Sequence, residues 1–114
     1  MAGRIRVRSI VGRFLEHSRI FYFEIEDAKG ACTKRIWLSS ADWMSRNMMR
    51  RIEIAWPIAG AEMQTRIMQE CLMPYLADTE DAWLQQASGK YIKPSNAHGI
   101  NAQKILIKKY EADQ

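Results

Sequence analysis

Hydrophobic and polar residues alternate along residues 4–11, RIRVRSIV, with Ile5 and Val7 on one side and Arg4, Arg6 and Arg8 on the other. A period of two predicts a strand. Residues 19–26, RIFYFEIE, are β-branched and aromatic and predict a second strand, with Phe21, Phe23 and Ile25 sharing a face. Asp27 and Gly30 supply turn chemistry, and residues 33–38, TKRIWL, return as a third strand antiparallel to the second. Ser39 followed by Asp42 resembles a capping box and predicts a helix from Ser40 to about Arg50. Ile52, Ile54 and Trp56 alternate as a fourth strand that ends at Pro57. Met63, Ile67, Met68, Cys71, Leu72 and Tyr75 recur at helical spacing over 61–75, with Pro74 expected to kink or end that helix. Asp78 or Thr79 would cap a short helix through EDAWLQQAS, closed by Gly89. Residues 90–94, KYIKP, suit a short strand, and QKILIKKY (103–110) reads as the last strand.

These elements predict a single α+β domain over residues 1–114: an antiparallel sheet of about five strands with two or three helices packed on one face. With 114 residues and 47% apolar content, the chain is long enough for a core without disulfides. Cys32 and Cys71 lack CxxC spacing, and Cys71 falls in an apolar helical run as a small core residue. No apolar run approaches the ~20 residues of a membrane span, and no secretory signal is read, so a cytoplasmic location is expected.

Charge sharpens the picture. The net charge is +4, and residues 1–19 hold five arginines against one acid, Glu16. Alternate arginines on a strand stand about 7 Å apart, near the spacing of phosphates along a nucleic-acid strand. Arginine binds phosphate in a bidentate way, which lysine does not. Charge that blunts an edge strand would look the same. The candidate nucleic-acid contacts are Arg4, Arg6, Arg8, Arg13 and Arg19, joined by Lys34 and Arg35, with Tyr22 able to stack a base. Phe21, Phe23 and Trp37 are assigned to a core under the helices. Arg46, Asn47, Arg50 and Arg51 could form a phosphate-facing helix end, although cations there also complement the helix dipole. His17 and His98 are isolated in sequence, and no catalytic triad, Walker loop or zinc spacing is present. No metal or cofactor is expected.

One resemblance adds to this. An aromatic strand running into Asp27-Ala28-Lys29-Gly30, a strand, a short helix, an amphipathic helix ending in Tyr75-Leu76, and then SGKYI (88–92) is similar to the amino-terminal part of an uncharacterised domain of phage and mobile-element primase–helicase proteins, over about residues 20–92. That family's ATPase portion has no counterpart here, so the resemblance implies an accessory role. The resulting expectation is a non-enzymatic module with a basic sheet face, binding nucleic acid or a host nucleoprotein complex in a phage or mobile-element context. The alternative is a small protein-binding inhibitor of the anti-CRISPR type.

Overall fold

The structure, a computed structural model, describes residues 4–95 and 99–112. His98 lies outside the described residues. The fold is α+β, and its strands form two antiparallel sheets of three, in the orders β1-β5-β6 and β2-β3-β4. The chain divides into two compact units, Glu16–Cys71 and the pair of segments Met1–Leu15 and Leu72–Gln114.

The unit Glu16–Cys71 is built on a meander of β2 (Ile20–Glu26), β3 (Cys32–Ser39) and β4 (Ala55–Ile58). The β2–β3 turn forms as the sequence indicates. The Asp27 carboxylate accepts from Lys29 and Ala31 N–H at 2.8 and 2.9 Å, and Gly30 takes φ +80°. Register puts Ile20 opposite Leu38 and Tyr22 opposite Ile36, so these share one face. Ile36 is 2% exposed and centres the core, a burial worth roughly 1.5–3 kcal/mol. Pro57 lies inside β4 and does not end it; β4 is an edge strand, where a missing ladder donor is tolerated. Helix α1 spans Ser45–Arg50, shorter than its sequence suggests. The Ser39 hydroxyl accepts from Ala41 N–H, and Asp42 turns to Arg19, so neither caps a helix at Ser40. Helix α2 (Ala61–Ile67) buries Ile67.

A π-helical stretch, Met68–Leu72, follows α2 and leads into α3 (Met73–Ala77), with Pro74 in the first turn of α3. Proline is harmless there, since its missing N–H would have no intrahelical acceptor. The expected kink is therefore a change of helix type.

In the other unit, β1 is only Arg8–Ile10, pairing with β5 (Ala82–Gln85), which pairs with β6 (Tyr91–Ile92). Two sequence assignments are corrected here. The segment expected as a helix after Asp78 is strand β5. Asp78 Oδ1 accepts from Asp81 and Ala82 N–H at 2.8 and 2.9 Å, which closes a turn, and Gly89 (φ +83°) serves the β5–β6 hairpin. The segment expected as the last strand is helix α4, Ala102–Ala112. Ala102, Gln103 and Leu106 turn inward at helical spacing, and the Asn101 side chain accepts from Lys104 N–H at 3.0 Å as an N-cap.

Candidate functional site

Within Glu16–Cys71, a cavity of about 250 Å3 opens against the core face of the β2-β3-β4 sheet. Its apolar wall comes from Ile20, Leu38 and Trp56 on the strands and Ile67 and Cys71 on the helix; its polar rim is His17, Ser18, Arg19 and Ser39. Burial pushes the Cys71 thiol up, and both cysteines are free.

The rim is held by one side-chain relay. Arg19 Nε donates to Asp42 Oδ1 at 2.6 Å and its Nη2 to Oδ2 at 3.2 Å, a two-point clamp. Arg19 Nη1 donates to the His17 carbonyl at 3.0 Å, which fixes the backbone that carries the imidazole. Ser39 N–H donates to the Arg19 carbonyl at 3.0 Å, extending the β2–β3 pairing to the site. Behind the clamp, Asn47 Nδ2 donates to Asp42 Oδ2 at 3.3 Å. The Arg19 hydrogen bond holds the Asp42 carboxyl below its ordinary 3.8, and the same bond raises Arg19. The His17 side chain stays exposed. A guanidinium is suited to binding phosphate oxygens, and an imidazole to proton transfer; both residue types line this rim.

The arginine row does not form as one surface. Arg4 and Arg6 precede β1 and are exposed, but Arg8 turns inward, its Nη1 donating to the carbonyls of Asp78 (2.8 Å) and Tyr75 (3.3 Å). Both carbonyls lie in the last turn and cap of α3, where the helix dipole favours a cation. Arg13 lies over the Phe14 ring, 5.3 Å from its centroid. Arg4, Arg6, Arg8 and Arg13 belong to one unit, and Arg19, Tyr22, Lys34 and Arg35 to the other. Lys34 and Arg35, being consecutive on β3, point to opposite faces. The Tyr22 hydroxyl donates to Glu24 at 2.5 Å, which pushes its pKa up to about 12. Asn47, expected at a wet helix end, is 3% exposed, and its Oδ1 has no partner among the described residues. His17 is isolated in the sequence, and its backbone is joined to Asp42 only through Arg19 in the fold. The only trace of that connection is a lone acid after SSA, 23 positions from Arg19.

A second cavity, about 310 Å3, lies in the other unit between Gly12, Phe14, Glu80, Asp81, Asn101 and Lys104. Its polar groups pair with one another: Lys104 with Glu80 at 2.9 Å, and Asn101 Nδ2 with Glu80 and Asp81 at 3.1 and 2.8 Å. No group of three metal-ligating side chains occurs among the described residues, and no helix among them is long and apolar enough to cross a membrane.

Comparison with known proteins gives this arrangement its family. Residues 1–103 match the family model of the polyphosphate kinase C-terminal domain 2, and the chain belongs to that family. The polyphosphate kinases of Burkholderia vietnamiensis and Paraburkholderia phytofirmans are each 45% identical to it over 111 residues, 96% of this chain. The crystal structure of polyphosphate kinase from Porphyromonas gingivalis superposes with a TM-score of 0.80 at 31% identity over 98% of the chain. The chain spans 15% of the length of those two relatives and 17% of the crystallised one.

This membership corrects four expectations. The likeness to a phage primase–helicase domain is replaced by a match across nearly the whole chain. The nucleic-acid module and the anti-CRISPR-type inhibitor both fall with it. So does the expectation of a non-enzymatic protein, since the family is that of an enzyme. Nucleic acid and a host nucleoprotein complex are no longer the indicated partners.

Proposed function

We propose that this chain is the phosphate-handling end of a polyphosphate kinase, in which His17 moves a proton at the reacting phosphate oxygens and Arg19 and Asp42 hold it in position. Both compact units belong, in this reading, to one domain of a cytoplasmic enzyme that transfers phosphoryl groups between a nucleotide and polyphosphate. Phosphoryl transfer asks a protein mainly for positioning and charge stabilisation. The clamp supplies the first, because three of its hydrogen bonds converge on the segment from His17 to Arg19. The guanidinium supplies the second, with N–H groups left over on Nη1 and Nη2 for a phosphate oxygen. Imidazole is the side chain whose ordinary pKa suits proton transfer near neutral pH.

The clamped His17 at the rim of the cavity is the observation that carries this reading. It is tested by letting the chain replace the matching 111 residues of the Burkholderia vietnamiensis enzyme and introducing His17→Ala. Polyphosphate synthesis should fall by about 10²–10⁴-fold, the usual worth of an acid–base group. Synthesis at the unsubstituted rate would overturn the proposal.

A further inference from the structure

The β2-β3-β4 sheet has a second face, and that face is open. Alternation and register place Phe21 beside Trp37, Phe23 beside Arg35, and Ile25 beyond them, all opposite the face that packs against Ile67. Trp43 extends this row, its ring centroid 5.6 Å from that of Phe21. Trp43 is 80% exposed, and Phe23 and Ile25 are 49% and 51% exposed. Singly exposed apolar residues are ordinary, but aromatic and aliphatic residues at successive positions of one sheet face form a patch that normally meets a partner. The sequence carries the same message: IFYFEI is apolar on both sides of its first half, as in a strand covered on two faces.

We infer that this face, from Phe21 through Phe23 and Ile25 with Trp43 at its end, is covered by another segment of the polyphosphate kinase polypeptide, one outside the stretch this chain matches. Two observations select that occupant over a second copy or a foreign protein. The chain accounts for only 15% of its relatives' length, so a large complementary polypeptide exists in the family. The face is apolar at its centre and carries one cation, Arg35 opposite Phe23, which suits an apolar segment bearing a single acid. The inference requires the family membership and not the catalytic role of His17.

Hydroxyl-radical footprinting at Phe23 and Trp43 tests it without substitution. The 114-residue chain is compared with the chimera in which it replaces the matching segment of the Burkholderia vietnamiensis enzyme. Both side chains should be modified readily in the chain alone and lose that modification in the chimera, whatever its catalytic rate. In the chimera, Phe23→Glu should lower the unfolding midpoint and restore labelling at Trp43, whereas Phe23→Leu should do neither. If the chimera does not fold, the matching positions of the unaltered Burkholderia enzyme are footprinted instead and should be protected. Equal labelling in both proteins would overturn the inference. So would protection already present in the isolated chain that disappears on dilution, which would give the face to a second copy.

Discussion

Asp42 carries the site through a single carboxylate. It faces Arg19 with both oxygens and takes Asn47 behind, so its loss frees a guanidinium that also holds the His17 backbone. Asp42→Ala is expected to lower turnover of the chimera while leaving its fold intact, and Asp42→Glu to recover only part of it, since the longer side chain displaces the clamp; steady-state kinetics beside circular dichroism would show this. The pH dependence has a definite sign. The folded carboxyl titrates below its ordinary 3.8. The clamp's stabilisation is therefore complete above that value and is lost as pH falls through the lower folded one. An acid titration should show Asp42→Asn narrowing the stability gap between neutral and strongly acidic pH relative to the unsubstituted chain; an identical gap would contradict the clamp. Gly12 makes a separate case. A Cβ there would stand 2.7 Å from Gln103 Oε1 and 3.2 Å from Asp81 Oδ2. Gln103 cannot yield freely, because its amide bonds the Phe14 N–H and carbonyl at 3.0 and 2.8 Å. Gly12→Ala should cost about 1–3 kcal/mol by chemical denaturation. The sequence carries no local sign of this crowding, which comes from a residue 91 positions away.

The second unit is organised around Asp78. Its side chain is fully buried, with Oδ1 taking the N–H groups of Asp81 and Ala82 and Oδ2 that of Ala102 at 2.7 Å, so one carboxylate ties the start of β5 to the start of α4. Asp78→Ala would leave these donors without an acceptor, at roughly 1–3 kcal/mol each where they stay dry, so thermal denaturation should show a loss near the top of the usual single-substitution range. Asp78→Asn should recover only part, because its amide would set a donor against one of the N–H groups. Both misread elements touch this residue. Asp78 has the chemistry of a helix cap, and the acids after it would complement a helix dipole, so local pattern favoured a helix. Pairing of Ser9 with Trp83 and of Ile92 with Leu84 decided for strand. In α4, consecutive Ile105, Leu106 and Ile107 fit either period; the deciding signal is Asn101 ahead of them, a cap that the strand reading overlooked. The β2–β3 hairpin was legible because its turn is self-contained: Asp27 and Gly30 set it with no help from afar. Asn101→Ala should cost about 1 kcal/mol through the lost cap, somewhat more for its bonds to Glu80 and Asp81.

Across the whole molecule, β1 to β4 could be read from alternation, but β5 and the division of the strands between two sheets could not. Period two fixes which residues share a face; it does not say which strands are neighbours when the partners lie far apart in sequence, as Arg8 and Leu84 do. Family membership removes nucleic acid as the indicated partner of the basic residues. Arg8 is tied to backbone carbonyls and Arg19 to Asp42, while Arg4 and Arg6 remain exposed. If those two draw polyphosphate by long-range attraction, the double substitution Arg4→Gln, Arg6→Gln should weaken polyphosphate binding at low salt, with a difference that shrinks as ionic strength rises; binding measured at two salt concentrations checks it. The central claim concerns a proton, and imidazole can replace a missing proton carrier. The decisive measurement is polyphosphate synthesis by the His17→Ala chimera with and without added imidazole. The account predicts that turnover lost with the side chain returns in proportion to free imidazole while polyphosphate affinity stays constant. Unaltered turnover without imidazole, or no recovery at any concentration with binding intact, would contradict it.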